Sequence, residues 1–479
     1  MQDAGCRMQD AGCRMQDAGC RMQDARYRMQ DVGYPASCIL HLTSRFSYLC
    51  ILILPIMLQL QMIREKTAEV ISRLRIKNFD GERIISDILR LDDIRKETQK
   101  ALDDLQAQSN SLAKEIGILY KQGKTLEANT LKETTAGLKS KAKEYDEKLE
   151  SVKKELEDLL VRVPNLPHHS IPPGKTAEDN EIVLLEDALI PLSGEYLPHW
   201  DLASKYDIID FATGTRITGS GFPLYKGKGA RLQRALINFF LDEAMAAGYM
   251  EVQPPYMVNA ASAFGTGQLP DKDGQMYYAP IDELYLIPTA EVPVTNIYRD
   301  SILKTRELPV KNVAYSACFR REAGSYGKDV RGLNRLHQFD KVEIVQITHP
   351  EKSYQTLEEM REYVAGLLRK LELPFRILKL CGGDVSFTSA LTYDMEVWSA
   401  GQKRWLEVSS VSNFEAFQSN RLKLRYKDEA GKIHLAHTLN GSALALPRIV
   451  ASLLEINQTA EGIRIPEVLR PYCGFAMIN

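Results

Sequence analysis

The chain has 479 residues, 44% apolar and 26% charged, with a formal net charge of −2, which fits two or three globular domains and excludes a disordered or fibrous protein. Near-neutrality leaves a nucleic-acid partner open, because such binding follows clusters of basic residues, not the total. Five of the eight cysteines lie in the first fifty residues, leaving Cys318, Cys381 and Cys473; three scattered thiols make neither a disulfide framework nor a metal knuckle and point to a reducing, cytoplasmic compartment.

Residues 1–56 open with three copies of MQDAGCR followed by MQDARYR and MQDVGYP. The period of seven lacks the two large apolar positions per heptad that a coiled coil needs. The apolar run SYLCILILPIMLQL that follows is shorter than the about 20 residues of a bilayer span, and no small-residue cleavage site comes after it. We therefore expect Met57 to be the initiator and residues 1–56 to lie outside the functional protein.

A helical domain is expected over 57–163. Leu91, Thr98, Leu102, Leu105, Leu112, Ile116 and Leu119, interrupted by Arg95 and Ser109, step by threes and fours. So do Ala128, Leu131, Thr135, Leu138, Ala142, Tyr145, Leu149, Val152, Leu156 and Leu159. The spacing predicts two coiled-coil helices, and the loss of pattern between Tyr120 and Glu127 around Gly123 predicts an antiparallel hairpin projecting as an arm. Between Lys114 and Lys143 there are seven lysines and three glutamates. Taken alone, this segment reads first as a dimerisation coiled coil and second as an arm facing a phosphate backbone.

The segment PNLPHHSIPPGK lies in a linker, 164–180, and 181–479 reads as a mixed α/β domain. A helix is expected from Arg231 to Ala247, running into the strand-like YMEVQPPYMVN, and another from Pro350 to Leu371. Strands dominate with few crossover helices, so the sheet should be largely antiparallel; neither a Walker loop nor a Rossmann fingerprint is present. Within it, strands at Asn312–Phe319 and Leu336–Ile347 flank a loop holding Gly324, Gly327 and Gly332. Arg320 and Glu322 stand where the first strand opens into that loop, a placement suited to phosphate, since a guanidinium matches two phosphate oxygens. An isolated basic hairpin of this kind is equally well read as a solvated surface.

Six segments together carry a resemblance: the helix and strand ending at Pro254 and Pro255, the FRRE hairpin, TAE at 289–291, HQFDKVE at 337–343, EVSSVSNFEAFQ from Glu407, and HTLNGSALALPRIVASLLE around Arg448. From about Met57 onward the chain resembles the bacterial-type seryl-tRNA synthetases, a class II aminoacyl-tRNA synthetase family. The resemblance implies an α+β fold, an antiparallel sheet flanked by helices and preceded by a coiled-coil arm. It implies activation of L-serine by ATP and its transfer to serine tRNA, with selenocysteine tRNA as a second candidate.

It further implies an ATP site of Arg320, Arg321, Glu322, Arg335, Phe339, Glu407, Val408, Ser409, Ser410 and Arg448. Arg320 would hold the α-phosphate, Glu322 orient the adenine or its neighbouring loop, Phe339 stack on the base and Arg448 grip the far end of the triphosphate; Arg320, Glu322 and Arg448 are the catalytic candidates. Glu407 and Ser410 would ligate Mg²⁺, and no zinc is expected. Serine would be bound by Thr289, Ala290, Glu291, Glu343, Asn440 and Ser442, with Glu291 on the α-ammonium and Glu343 with Ser442 at the hydroxyl. No covalent nucleophile is needed.

The arm would grasp the tRNA through Lys114, Lys121, Lys124, Lys132 and Lys139. A homodimer through Arg231 to Asn259 and no membrane association are implied. Ala443 and Pro447 stand where the family pattern suggests glycine, and Tyr326 where it suggests a small residue. The alternatives are a non-catalytic RNA-binding or regulatory paralogue and an amino acid:carrier protein ligase of the same family, the latter disfavoured by the arm.

Overall fold

The computed structural model describes residues 60–188, 190, 194–271, 274–322 and 331–479. The heptapeptide repeat, the Met57 start and the hairpin-loop residues Gly324, Tyr326 and Gly327 lie outside them.

The chain is helical first: α1 (Leu60–Glu65), α2 (Thr67–Ile76), α3 (Glu82–Lys121) and α4 (Thr125–Leu160). The reversal occupies only Gln122–Lys124, where Gly123 takes φ +77°, a conformation open to a residue without Cβ. At the root, Ile63, Val70, Leu74, Ile85, Ile88, Leu156 and Leu160 form a small core. Towards the tip only the seam is covered: Leu105, Leu112, Ile116, Leu131 and Leu138 are half-buried while their flanks are exposed. A helix of 40 residues such as α3 reaches about 60 Å, so the hairpin is an arm. Arg95, an interruption in the seam, is matched by buried Asp92, whose Oδ1 accepts from Arg95 Nε at 3.0 Å and whose Oδ2 meets Arg64 at 2.7 Å and Lys96 at 3.0 Å.

The linker is not a loose tether. Val163 to Pro167 are buried, and Asn165 Nδ2 donates to the carbonyls of Thr388 at 2.9 Å and Phe414 at 2.8 Å. The arm root is thereby docked on the second domain.

That domain is built on an eight-stranded sheet: β1 (Glu181–Glu186), β2 (Met250–Glu251), β3 (Val310–Phe319), β4 (Gln338–Thr348), β5 (Phe375–Lys379), β6 (Leu391–Ser399), β7 (Arg404–Asn413) and β8 (His437–Ala445), in spatial order β1-β5-β6-β7-β8-β4-β3-β2. Every pairing is antiparallel except β2 with β3. Three further helices matter: α5 (His199–Lys205), α6 (Gly227–Ala246), which begins four residues before the expected start, and α7 (Ser353–Lys370), preceded by a 3-10 turn at Pro350–Lys352. A fourth helix, α8 (Leu446–Ile456), follows β8 directly.

Alternation divides the sheet into two chemical faces. Val313, Val342, Ile344, Met395, Val411, Leu439 and Ala443 join one core with Leu236, Phe240, Leu357, Val364, Ile449 and Leu453 of α6, α7 and α8. The alternate residues, including Lys341, Glu343, Asp394, Ser410, Ser412, Asn440 and Ser442, occupy the other face.

Candidate active site

The polar face floors a cavity of about 790 Å³, within the range of sites that enclose a small ligand. Fourteen of the sequence-expected ATP and serine residues line it: Thr289, Glu291, Arg320, Glu322, Arg335, Phe339, Glu343, Glu407, Val408, Ser409, Ser410, Asn440, Ser442 and Arg448. Arg321 and Ala290 do not. The Arg321 guanidinium lies over the Tyr277 ring, 5.5 Å from its centroid, and Ala290 packs against Val294, Ala314 and Val345.

At one end, Arg320 leaves β3 with its Nε 3.3 Å from the Pro288 carbonyl and its guanidinium 5.2 Å from the Phe339 ring centroid. That ring and guanidinium form a cationic, aromatic wall. Glu322 sits at φ +47° and accepts from Arg335 Nη1 at 3.1 Å. Arg448, in the first turn of α8, donates from Nε to the Asn334 carbonyl at 3.0 Å and from Nη1 to the Glu407 carbonyl at 2.6 Å.

Glu407 and Ser410 are three apart on β7, which strict alternation would put on opposite faces. A bulge intervenes: Asp394 pairs with Ser410 and Met395 with Ser409, but Glu396 pairs with Glu407, leaving Val408 as the extra residue. The two oxygens therefore meet, Ser410 Oγ donating to Glu407 Oε1 at 3.3 Å. Beside them Asp394 carries a buried Oδ1 with no hydrogen-bond partner among the described residues. Burial, reinforced by the Glu407 charge, pushes its pKa well above the usual carboxylate range.

The other end holds two carboxylates with different partners. Glu343, 2% exposed, is met by Lys341 Nζ at 2.6 Å and by Ser442 Oγ at 3.4 Å, while the same ammonium donates to Thr289 Oγ1 at 2.9 Å. Glu291 instead accepts from a neutral amide, Gln418 Nε2, at 2.6 Å. Burial, with the Glu343 charge adding to it, lifts the Glu291 pKa to about 7. Asn440 Nδ2, also buried here, has no hydrogen-bond partner among the described residues.

Sequence reasoning missed Lys341, Gln418 and Asp394. Lys341 was within reach, since Phe339, Lys341 and Glu343 share one face at period two in the HQFDKVE segment. Asp394 could have been found only with the register of β6 against β7, and Gln418, although it closes the EVSSVSNFEAFQ segment, lies in a short helix, Phe417–Arg421, whose approach to Glu291 no local pattern reveals. Of the three departures from the family pattern, Tyr326 lies outside the described residues, Ala443 faces the apolar core, and Pro447 occupies the first turn of α8, where a missing N–H costs nothing. All five arm lysines, Lys114, Lys121, Lys124, Lys132 and Lys139, are exposed; Lys124 is 3.4 Å from Glu127.

This antiparallel sheet with an arginine at a strand end and another at the start of a helix is a class II synthetase core, and the model of the tRNA synthetase class II core domain (G, H, P, S and T) matches residues 278–457. The seryl-tRNA synthetase N-terminal domain model matches residues 57–167. A serine–tRNA ligase of Salinibacter ruber is 50% identical over 425 residues, covering 88% of this chain and 99% of the relative. Another, from Chlorobium phaeovibrioides, is 45% identical over 429 residues, covering 88% and 99%. Among solved structures, seryl-tRNA synthetase from Pyrococcus horikoshii complexed with ATP superposes with TM-score 0.81 at 32% identity, covering 88% of this chain and 99% of that one. The chain belongs to the seryl-tRNA synthetase family.

Proposed function

We propose that the cavity is where this chain carries out the reaction of its family, activation of serine by ATP and transfer of the seryl group to tRNA, with the two ends of the polar face dividing the work. The supporting observation is the pairing of charges. Glu343 has its own buried cation in Lys341 at 2.6 Å, whereas Glu291 accepts from the neutral amide of Gln418 and is influenced by Lys341 without forming an ion pair with it, so the α-ammonium of serine is matched by Glu291. The serine hydroxyl then falls to Glu343 and Ser442, with Thr289 and Asn440 completing the pocket. Discrimination against alanine follows, because without the hydroxyl these groups would be left unpaired.

The serine carboxylate oxygen bonds to the α-phosphorus of ATP while the bond to the pyrophosphate oxygen breaks. Arg320 is placed to hold the α-phosphate oxygens as charge builds, Phe339 to stack on adenine, Glu322 and Arg335 to fix the neighbouring loop, and Arg448 to hold the departing phosphates. Glu407 and Ser410 offer two hard oxygens 3.3 Å apart beside the unpartnered Asp394 oxygen, a donor set that fits Mg²⁺ with triphosphate oxygens and water completing it. Bound there, the metal would offset charge on the reacting and leaving phosphates. In the second step the terminal ribose hydroxyl of the tRNA attacks the seryl carbonyl and AMP leaves.

The arm, with its exposed lysines, would hold the tRNA by shape and backbone, the mode suited to RNA helices. A second copy of the chain would cover the exposed Met245, Met250 and Met257 around α6 and β2. A cytoplasmic location fits the three free cysteines of the described residues, among which no helix is long and apolar enough to cross a membrane. The test is serine-dependent exchange of labelled pyrophosphate into ATP without tRNA, with alanine, threonine and cysteine as controls. Exchange with serine alone is expected; none from folded, Mg²⁺-supplied protein would refute this reading in favour of a non-catalytic paralogue.

A further inference from the structure

Behind the triphosphate end lies a buried pair that the chemistry above does not use. His199, at the first position of α5, and Glu455, near the end of α8, are both fully buried. Glu455 Oε1 accepts from the His199 backbone N–H at 2.9 Å and lies 2.8 Å from His199 Nδ1. Its other oxygen takes the Ser399 hydroxyl and the Gly401 N–H, the latter at 3.0 Å. The carboxylate thus has four donors. On the far side of the imidazole, Nε2 accepts the backbone N–H of Leu333 at 2.8 Å. This assigns the tautomer: Nδ1 carries the proton and Nε2 is bare, because the Leu333 amide can only donate.

Leu333 belongs to the returning limb of the hairpin loop, and the limb is fitted to this contact. A Cβ on Gly332, which sits at φ +65°, would lie 2.3 Å from His199 Nε2, so only glycine allows the approach. The Arg331 guanidinium lies 4.5 Å from the centroid of Trp200. The next residue, Asn334, presents the carbonyl that accepts Arg448 Nε at 3.0 Å and binds Gln402 through its side chain at 2.9 Å.

The contacts close on themselves. Arg448 and Glu455 are seven residues apart on α8, two turns and hence the same side of the helix. From Glu455 the path runs to His199, to Leu333, to the Asn334 carbonyl and back through Arg448 to α8. We infer that His199 is a positioning residue for ATP: with Glu455 it fixes the 331–336 limb against α8, so that the Asn334 carbonyl holds the Arg448 guanidinium in the orientation that receives the triphosphate. The serine end is served by β4, β8 and the short helix Glu291–Asn296 and, among the described residues, takes no hydrogen bond from this ring.

The inference rests on the reading of Arg448 as a phosphate ligand, and the two are separable. Pyrophosphate exchange would be measured for the whole chain and for His199→Phe, His199→Gln and Arg448→Ala, alone and combined, with thermal melts confirming the folded state. His199→Phe keeps a ring and removes both the Nε2 acceptor and the Nδ1 donor to Glu455; His199→Gln retains an acceptor near the place of Nε2. We expect His199→Phe to raise KM for ATP about 10- to 100-fold, the scale of one lost hydrogen bond to a charged group, with KM for serine within about twofold and with partial rescue in His199→Gln. In the Arg448→Ala background the same change should have little further effect, since neighbours acting through one contact are not additive. Equal increases in both KM values, no change in a folded variant, or full additivity with Arg448→Ala would each overturn it. If His199→Phe does not fold, the cycle is run with His199→Gln and Arg448→Ala, where full additivity would overturn it equally. Loss of serine-dependent exchange in the unaltered chain would instead refute the functional reading.

Discussion

Serine binding should release protons near neutral pH. In the free protein Glu291 is lifted to about 7 by burial and by the neighbouring Glu343, so at pH 6 about nine-tenths of it is protonated and at pH 7 about half. An α-ammonium arriving at that carboxylate favours its ionised form and expels the proton. The apparent Kd for serine should therefore be about tenfold weaker at pH 6 than at pH 8, and about twofold weaker at pH 7. Calorimetric titration with serine in buffers of different ionisation enthalpy reads both quantities, with about 0.9 proton released at pH 6 and about 0.1 at pH 8. Glu291→Gln keeps the shape and removes the titration: its affinity should be about 10- to 100-fold lower at pH 8 and flat with pH. Wild-type binding without proton release between pH 6 and 8, or a Glu291→Gln protein that retains the pH dependence, would refute the assignment of the ammonium to Glu291.

The same shift acts on stability with a definite sign. A carboxyl whose folded pKa is raised contributes stability that is fully present below its unfolded value of 4.5 and is lost as pH rises through about 7. The loss is of order 3 kcal/mol at most, so Glu291→Gln should melt higher than the wild type at pH 8 in the absence of serine, and thermal melts across pH 5–8 check it. Lys341→Met strands Glu343 as an unpaired buried charge and should cost about 3–5 kcal/mol in urea unfolding, with KM for serine raised. At the arm root, burial works to raise the Asp92 pKa, but hydrogen bonds from Arg95, Lys96 and Arg64 outweigh it and hold it below the usual value of 3.8. Its contribution is thus present above that value and lost as pH falls below it; Asp92→Asn should lower stability by about 1–3 kcal/mol at pH 7, read by circular dichroism melts, with pyrophosphate exchange unchanged. Replacing Lys121, Lys132 and Lys139 by alanine should leave exchange intact, raise KM for tRNA and reduce the salt slope of tRNA binding by about one for each phosphate no longer neutralised.

What was legible in the sequence is what short-range periodicity controls. The seam steps of α3 and α4 carry straight into the half-buried residues of the arm, and the alternation of β4 separates Val342 and Ile344 from Lys341 and Glu343. The strand-end and helix-start arginines were legible because they sit in contiguous motifs. What periodicity could not place are contacts that need a second segment. The bulge at Val408 turns a three-residue spacing into a shared face, and it exists only as register between β6 and β7. Gln418 reaches Glu291 across 127 positions, and Glu455 reaches His199 across 256.

The two carboxylates of the proposed serine pocket show why this matters for chemistry. Glu291 and Glu343 are the same residue type, both buried and both in short motifs. They differ in what faces each of them. Lys341 is two residues before Glu343 on one strand, so its ammonium is delivered to that carboxylate by the pleat itself, whereas Glu291 begins a short helix and receives an amide from a helix formed much later in the chain. One carboxylate is thereby held against Lys341 beside the Ser442 hydroxyl, and the other, under the proposed assignment, is left to complete its charge balance with an incoming cation. A pocket with two equally paired carboxylates would offer an incoming ammonium no unmatched charge; under the proposed assignment the unequal pairing is what suits the site to an amino acid.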